Sequence, residues 1–440
     1  MTAAIVGLAT RENGRKCSRT ATGPGPRSAS DDDDVVSGWS RAFTLLARPG
    51  YCDARGAPAS ASAGRRGAHR VVEGNTAAVK VRTESSVSAV VARTRRSFGV
   101  LAVAAAVAST AVVSAGSVAA QPVSGTSSAP TTGFVGADGS SVVSVTPAGG
   151  QRYDVVVRSA SMDRTVDLQV LRPADTSVPR PTYYLLNGAS GGEDPSSNWP
   201  DQTDVVPFFA DKNVNVVIPK AGAFSYYTDW LADDPELGRN KWETFLTSEL
   251  PPLMNAALGT DGTQAVGGIS MAASAVLMLA ANAPGFYSSV TSFSGCANTS
   301  DDLGAAYVKL VVEARGGGDT DNMWGPTGGP EWLANDALLN AEKLRGTPLY
   351  LSTGNGLPGF DDTLASARIA GDVPDLVNRV IVGGGIESIT DHCTRVFAGR
   401  LAELGIPATV DFRGPGTHSW AYWQEDLHRS WPFTAASLGI

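Results

Sequence analysis

Short apolar runs alternate with helical stretches from about residue 150 to the end of the chain. The runs are rich in Val, Ile, Leu and Tyr, and most are apolar throughout, which is typical of strands buried on both faces of a sheet. The first two are joined by a polar segment and predict a hairpin. The predicted strands span residues 153–157, 165–171, 180–188, 213–219, 264–269, 288–294, 349–353 and 409–412.

Helical stretches fill the gaps between these strands. Residues 242–258 predict a helix interrupted by two prolines, and residues 271–283 predict an alanine-rich helix that ends before a Pro-Gly pair. Residues 298–346 predict a helical insertion that forms a lid or one wall of a site. Strands that alternate with helices indicate an α/β fold, with a mostly parallel sheet covered on both faces.

A strand and a helix meet at Ser270. Residues 268–272 read Gly-Ile-Ser-Met-Ala, and a strand, a sharp turn with a central serine and a helix are typical of the nucleophile elbow of the α/β-hydrolase fold. The N-terminus of the helix offers free N–H groups to a developing oxyanion, and the amide of Met271 is the first of them. This short motif is common, so the chain must also supply a base, an acid and a second oxyanion donor.

Three histidines after residue 120 are candidates for the base. His418 lies in a loop after the final predicted strand, where an α/β-hydrolase places this residue. His392 lies close in sequence to the candidate acids and remains an alternative. His428, among charged neighbours in a C-terminal helix, is predicted to be a solvated surface group.

The candidate acids lie between Ser270 and His418. Glu387 follows a run of three glycines, which predicts a turn, and stands at the start of a predicted helix. Asp391 is one helical turn further on and is not excluded by the pattern. The alternative interpretation of either carboxylate is a structural charge at a helix N-terminus, where the helix dipole favours it. The candidates considered are Asp375, Glu387, Asp391 and Glu403.

The second oxyanion donor is expected in the loop after the early strand 180–188. The amide of Ala189 is the predicted donor, and an ordinary glycine turn at Gly188 is the alternative interpretation.

The N-terminal third has a different composition. Residues 1–90 are rich in Arg, Ala, Ser and Gly and cannot bury a core. Residues 91–120 have a basic cluster with twin arginines, an uncharged Ala/Val stretch and a small-residue cleavage site, which predict a signal peptide, with a membrane anchor as the alternative. Residues 1–90 are therefore predicted to be disordered or to precede the true start, for which Val91 is a candidate. Residues 121–150 predict a flexible leader and 151–440 one α/β domain.

Charge and cysteine content narrow the function classes. The net charge of −8 comes without a basic stripe, which argues against nucleic-acid binding. The sequence has no metal-spaced His/Cys cluster and no glycine-rich phosphate loop, so neither a metal nor a cofactor is predicted. Cys296 and Cys393 are the two cysteines of the exported chain, and they predict one disulfide.

Four segments together resemble the mycolyltransferases of the antigen 85 type, which are esterase D-like α/β-hydrolases. They are residues 184–188, 241–251, 268–272 and 416–423, supported by 323–326 and 354–356. The longest of them, Lys-Trp-Glu-Thr-Phe-Leu-Thr-Ser-Glu-Leu-Pro, is specific, and the resemblance extends from about residue 153 to 438.

The resemblance implies a secreted, cell-envelope acyltransferase. Such an enzyme moves a mycolyl group from trehalose monomycolate to a second trehalose monomycolate or to cell-wall arabinogalactan through a serine acyl-enzyme, with diacylglycerol acyltransferase or esterase side activity. The resemblance further implies a monomer. A carboxylesterase with the same triad and a non-catalytic protein that binds carbohydrate or matrix are the alternatives.

The family's site residues can be carried over one by one. The family triad falls on Ser270, Glu387 and His418, and its oxyanion donors fall on the amides of Ala189 and Met271. The implied substrate contacts are Asn187, Gly188, Ser190 and Trp420.

The departures from the family pattern concern the sugar side of the site. The family's Asp is Asn187 here, its Arg is replaced near Ser190 in a longer glycine-rich loop, and its cysteine before Gly354 falls on Thr353. The family's short disulfide upstream of residues 241–251 is absent as well. The pair Cys296 and Cys393 is instead this protein's own, and it would tie the segment that bears Glu387 to the sheet.

Overall fold

The computed structural model describes residues 127–440. The predicted upstream extension (1–90), the predicted signal peptide (91–120) and the first residues of the predicted leader lie outside the described residues. None of the helices within 127–440 combines the length and the apolar character needed to span a membrane.

Nine strands of the described residues form one mixed sheet in the order β1-β2-β3-β5-β4-β6-β7-β8-β9. The pairs β1–β2, β2–β3 and β3–β5 are antiparallel. Every neighbouring pair from β5 across the sheet to β9 is parallel. The strands are β1 (Ser141–Pro147), β2 (Arg152–Ser159), β3 (Arg164–Leu171), β4 (Thr182–Leu186), β5 (Asn215–Pro219), β6 (Gln264–Ile269), β7 (Val290–Phe293), β8 (Leu349–Thr353) and β9 (Thr409–Phe412).

The helices of residues 127–440 follow the strands in alternation. They are α1 (Trp199–Gln202), α2 (Val205–Phe209), α3 (Trp242–Thr244), α4 (Leu250–Leu258), α5 (Met271–Asn282), α6 (Asp302–Lys309), α7 (Thr320–Trp324), α8 (Pro330–Ala334), α9 (Val373–Asn378), α10 (Gly384–Glu403) and α11 (Trp420–Ser437). Three π-helical segments, Phe245–Glu249, Leu310–Arg315 and Arg379–Gly383, and a 3₁₀ turn, Ala341–Leu344, complete the list. The predicted α/β organisation is confirmed, as is the helical character of residues 298–346.

Alternate residues of the central strands point into two separate cores. Tyr184 and Leu186 of β4 belong to one buried cluster, and Tyr183 and Leu185 belong to the other. A strand has a side-chain period of two, so the two clusters lie on opposite faces of the sheet. Each fully buried apolar side chain contributes about 1.5–3 kcal/mol, and the central strands are therefore held rigidly from both sides.

The sheet extends further than the sequence predicted. Ser141–Pro147 forms strand β1 and pairs with β2, inside the segment for which the sequence predicted a flexible leader over 121–150. That prediction is wrong for β1. The strand is short, lies at the sheet edge and is half exposed, so its Ser/Thr/Val composition resembles that of a linker.

Two further local predictions are wrong. Pro251 and Pro252 do not interrupt the helix, because residues 242–258 are helical throughout and the irregularity is the π-helical segment Phe245–Glu249 before the prolines. The glycine run before Glu387 is not a turn, because residues 373–403 are helical throughout. A Cβ on Gly384 would lie 2.6 Å from the carbonyl oxygen of Gly356. Glycine is needed there for close packing and does not break the helix.

Candidate active site

Ser270 stands at the junction of β6 and α5 in a left-handed backbone conformation, with φ of 56° and ψ of −121°. Such a conformation is costly for a residue with a side chain and is common at functional sites. A Cβ on Gly268 would lie 2.8 Å from the Cβ of Ala272, so the strand and the helix can approach this closely only because glycine is present. The predicted elbow is therefore formed, and Ser270 is 8% exposed.

His418 reaches Ser270 from the loop between β9 and α11. Its Nε2 lies 2.8 Å from Ser270 Oγ, within hydrogen-bond distance. The backbone N–H of His418 donates to the carbonyl of Gly383, and its ring packs edge-on against Trp423 with a centroid distance of 4.8 Å. The imidazole is thus fixed from both sides in the orientation that a general base for Ser270 requires.

Glu387 completes the chain from the first turn of α10. Its Oε2 lies 2.8 Å from His418 Nδ1, and the side chain is fully buried. Burial alone would raise the pKa of Glu387, but the hydrogen bond and charge of His418, the charge of Arg413 and the amide of Gly354 outweigh it and leave that pKa below its ordinary value. The carboxylate therefore stays ionised beside the imidazole.

The other carboxylate oxygen of Glu387, Oε1, is surrounded by hydrogen-bond donors that the sequence did not reveal. Oε1 accepts hydrogen bonds from Arg413 Nη2 at 2.8 Å, from the N–H of Gly354 at 2.6 Å and from the hydroxyl of Ser294 at 2.8 Å. Ser294 also accepts a bond from the indole N–H of Trp423 at 3.1 Å. Ser294, Gly354 and Arg413 directly follow β7, β8 and β9, and Trp423 lies on α11, so only the folded sheet brings them together.

The predicted oxyanion donors lie on the loop after β4, which carries Ala189, and at the first residue of α5, Met271. The carbonyl of Ala189 accepts a 2.6 Å hydrogen bond from the N–H of Phe224, and the sulfur of Met271 lies 3.4 Å from the N–H of Tyr226. Phe224 and Tyr226 both have positive φ angles, so a strained segment after β5 contacts both the Ala189 loop and the start of α5. Within residues 127–440, the amide of Ala189 donates no hydrogen bond, and that of Met271 begins a helix.

The side chain of Asn187, an implied substrate contact, points into the protein. Its Nδ2 donates to the carbonyl of Pro219 at 2.8 Å, its Oδ1 accepts from the N–H of Trp199 at 3.1 Å, and the residue is fully buried. Both polar atoms of the Asn187 side chain are thus engaged inside the protein, and its substrate contact stays a prediction. A Cβ on Gly192 would lie 2.2 Å from Asn187 Nδ2, so the glycine-rich loop packs directly on this amide.

The other implied substrate contacts lie beside Ser270 or are partly exposed. Gly188 is buried, and a Cβ there would lie 3.5 Å from the Cβ of Ser270, while Ser190 is partly exposed. Trp420 is partly exposed, donates its indole N–H to the carbonyl of Ser196 at 3.2 Å and packs edge-on against Trp199. Trp420 thus joins the His418 loop to the glycine-rich loop.

The alternative bases and acids are not brought to Ser270. His392 is exposed on α10. His428 is paired with Asp204 at 2.9 Å and stacked on Phe208, so the prediction of a solvated surface group is wrong for it. The alternative carboxylates are engaged with neighbouring arginines on their own helices, namely Asp375 with Arg379, Asp391 with Arg395 and Glu403 with Arg400.

The helical insertion contributes one wall of the site. Tyr307 of α6 is almost fully buried, and burial raises the pKa of its phenol, an effect that a hydrogen bond with the side chain of Ser270 opposes. Trp324 and Trp332 of the same insertion pack edge to face, with a centroid distance of 5.2 Å. The sequence predicted the insertion as a lid or a wall, but no local signal marked Tyr307.

Cys296 and Cys393 are joined by a disulfide with a Cα–Cα distance of 4.9 Å. Cys296 follows β7, and Cys393 lies on α10, the helix that carries Glu387. The bridge therefore ties that helix to the sheet. Within residues 127–440 there is no group of three or more His, Cys, Asp or Glu side chains that could hold a metal ion.

Comparison with known proteins identifies the family. The family described as "Putative esterase" matches residues 159–434. The chain is 31% identical over 293 residues to the diacylglycerol acyltransferase/mycolyltransferase Ag85B of Mycobacterium intracellulare, covering 64% of this chain and 82% of the relative. It is 32% identical over 316 residues to Ag85A of Mycobacterium ulcerans, covering 70% of this chain and 87% of the relative.

A solved structure supports the fold. The crystal structure of Mycobacterium tuberculosis MPT51 superposes with a TM-score of 0.54 at 24% identity, covering 66% of this chain and all of that one. The α/β-hydrolase fold predicted from the elbow is confirmed. The chain belongs to the "Putative esterase" family and, within it, is similar to the mycolyltransferases of the antigen 85 type.

Proposed function

We propose that this protein is a secreted serine acyltransferase of the cell envelope. It moves a mycolyl group from trehalose monomycolate to a second trehalose monomycolate or to arabinogalactan. The observation that carries the proposal is the unbroken hydrogen-bond chain from Ser270 through His418 to Glu387, with both distances at 2.8 Å. The printed activities of its relatives, diacylglycerol acyltransferase and mycolyltransferase, support the choice of acyl transfer.

The first half-reaction forms the acyl-enzyme. His418 Nε2 takes the proton of Ser270 Oγ, and this oxygen attacks the carbonyl carbon of the mycolyl ester. The amides of Ala189 and Met271 hold the negative charge that develops on the carbonyl oxygen. The bond from the carbonyl carbon to the sugar oxygen then breaks, and His418 returns its proton to that oxygen, so trehalose leaves.

The second half-reaction reverses these steps with a new hydroxyl. A sugar hydroxyl of the acceptor gives its proton to His418 and attacks the acyl carbon, and Ser270 regains the proton as the new ester leaves. In both halves the imidazolium is stabilised by Glu387, whose lowered pKa keeps it charged. Transfer in place of hydrolysis requires that the acceptor hydroxyl be held in better position than water.

A carboxylesterase with the same triad is the second candidate. The inward engagement of Asn187 favours it, because the loop after β4 offers no side-chain amide to a sugar while those two hydrogen bonds are formed. A non-catalytic binding role is disfavoured, because all three triad side chains are in bonding position.

Product analysis separates the two candidates. The exported protein is incubated with trehalose monomycolate and radiolabelled trehalose. Acyl transfer predicts labelled trehalose monomycolate, and hydrolysis predicts only free mycolic acid. Free acid as the sole product at high trehalose would exclude the transferase. Ser270→Ala should give neither product, and Ser248→Ala, at an exposed serine of the segment Phe245–Glu249, should behave as the wild type.

A further inference from the structure

A second carboxylate, Asp426, lies buried behind the Ser270–His418–Glu387 chain. It is on α11, the helix that begins immediately after the His418 loop, and it is fully buried. Its Oδ1 lies 3.1 Å from Arg413 Nε, an ion contact in which the N–H is not aligned for a hydrogen bond. No group within residues 127–440 is aligned to hydrogen-bond either carboxylate oxygen of Asp426.

Arg413 connects this carboxylate to the active site. It follows β9, its side chain is 5% exposed, and its Nη2 lies 2.8 Å from Glu387 Oε1. One guanidinium thus faces two buried carboxylates, Glu387 on α10 and Asp426 on α11. The guanidinium carbon also lies 5.4 Å from the ring centroid of Tyr422, which fixes its plane.

The charges of this cluster bear directly on His418. Without Asp426, the positive charge of Arg413 would oppose the second positive charge that forms when His418 takes the proton of Ser270. An ionised Asp426 cancels it. All these groups are buried, so solvent screens their interactions weakly. With His418 protonated, two carboxylates then balance two cations.

We propose that Asp426 is a positioning residue that acts through Arg413 and Glu387 and sets the basicity of His418. This inference rests on the proposed function, in which His418 is the base for Ser270. It concerns a residue that contacts no substrate, because Asp426 is separated from Glu387 by the guanidinium of Arg413.

The surroundings of Asp426 make its charge responsive near neutral pH. Burial raises its pKa to about 7, Arg413 and Ser352 oppose that rise, and Glu387 and Asp411 add to it. Asp426 therefore changes charge in the range in which histidine titrates. The groups that interact with it are Tyr350 and Ser352 of β8, Asp411 of β9, Arg413 after β9, Glu387 of α10 and Arg429 of α11 itself.

A purely structural role makes a different prediction. If Asp426 only joined β9 to α11, Asp426→Asn would lower the melting temperature without moving the pH dependence of Ser270 reactivity. A role in basicity predicts that the pH dependence moves, because loss of the negative charge leaves Arg413 to disfavour the imidazolium.

The test measures the labelling rate of Ser270 by a fluorophosphonate against pH, across the range in which histidine titrates. The probe needs an activated serine but no acceptor, so the identity of the sugar does not enter. In Asp426→Asn the midpoint of the labelling rate should fall by about half a pH unit. Asp391→Asn, on α10 and paired with the exposed Arg395, should leave the profile unchanged.

Arg413→Gln provides an independent arm with the opposite sign. Loss of the guanidinium leaves the imidazolium beside carboxylates alone, so the midpoint should rise. Either variant decides the question if the other fails to fold. If a folded variant has the same pH profile of Ser270 labelling as the wild type, the inference about Asp426 is overturned, but the proposed function is not. Failure of the probe to label Ser270 in the wild-type protein would instead overturn the proposed function.

Discussion

The two loops that converge on Ser270 are built differently. The His418 loop places an imidazole 2.8 Å from Ser270 Oγ, and buried groups from four elements support it. The loop after β4 presents backbone to the same space, because Asn187 turns inward to bond Pro219 and Trp199. We call the Ser270–His418–Glu387 side, where the proposed acyl-enzyme forms, the acyl side, and the loop after β4 with Trp420 the acceptor side. The acyl side is therefore fixed by the core of the fold, and the acceptor side by a loop that differs from the family pattern.

This difference separates two properties of the proposed enzyme. Acyl-enzyme formation depends on the triad, which the sheet holds in place. In the proposed enzyme, the choice between a sugar and water depends on the loop after β4 and on Trp420, whose indole N–H donates to Ser196 of that loop. Substitutions on the two sides should consequently change different measurements.

Ser270→Ala should have the largest effect on the acyl side. Loss of the nucleophile should reduce turnover of any acyl ester by about a millionfold, whether the acceptor is a sugar or water. Steady-state rates with trehalose monomycolate and with a short acyl ester check this. Residual turnover above a thousandth of the wild-type rate would mean that the elbow does not supply the nucleophile.

Glu387→Gln should rank second. The amide keeps the shape but removes the charge that stabilises the imidazolium, so kcat should fall by about ten-thousandfold with a smaller change in KM. Asp391→Asn is the matched control, because Asp391 lies on the same helix and pairs with Arg395. Equal losses in the two variants would show that disturbance of the helix, and not the charge at Glu387, is responsible.

Removal of the disulfide should act on the acyl side through stability. The bridge closes a loop of 97 residues and anchors α10 to the sheet. Replacing both cysteines with alanine should reduce the free energy of unfolding by about 2–5 kcal/mol, measured by urea denaturation, and should lower activity because α10 carries Glu387. An unchanged denaturation midpoint would contradict this role.

Asn187→Asp, in the loop after β4, should have the smallest effect and should act on the acceptor side. A carboxylate cannot donate to the carbonyl of Pro219, so that bond is lost and the loop should loosen, at about 1–3 kcal/mol. The ratio of transfer to hydrolysis should change several-fold, while labelling of Ser270 by a fluorophosphonate stays within twofold. If the rate of Ser270 labelling falls as far as the rate of acyl transfer, the loop after β4 affects both properties, and the proposed separation of the two sides is wrong.

The sequence predicts the strands, Ser270 and His418 of the acyl side, because simple sequence patterns mark them. Uniform apolar runs predicted the buried strands, and the Gly-x-Ser turn between a strand and a helix predicted the position of Ser270. Chain order then predicted His418 after the last strand. The first two of these signals lie within a few residues of the feature that they predict, and the third needs only the order of the elements along the chain.

The missed features depend on contacts between distant segments. Arg413 and Asp426 are an ordinary arginine after a strand and an ordinary aspartate in a helix until β9 and α11 pack together. The three glycines before Glu387 suggested a turn because the loop at Gly356, which the helix must approach closely, is remote in sequence. Asn187 matched a family position, but which way its amide points depends on Pro219 and Trp199.

Intact-protein and peptide mass spectrometry after brief exposure to trehalose monomycolate tests directly whether Ser270 carries the acyl group. We expect a mycolyl adduct on the peptide that contains Ser270, absent in Ser270→Ala and removed when trehalose is added, with trehalose monomycolate re-formed. Turnover without any adduct on Ser270, or an adduct on another residue, would contradict it.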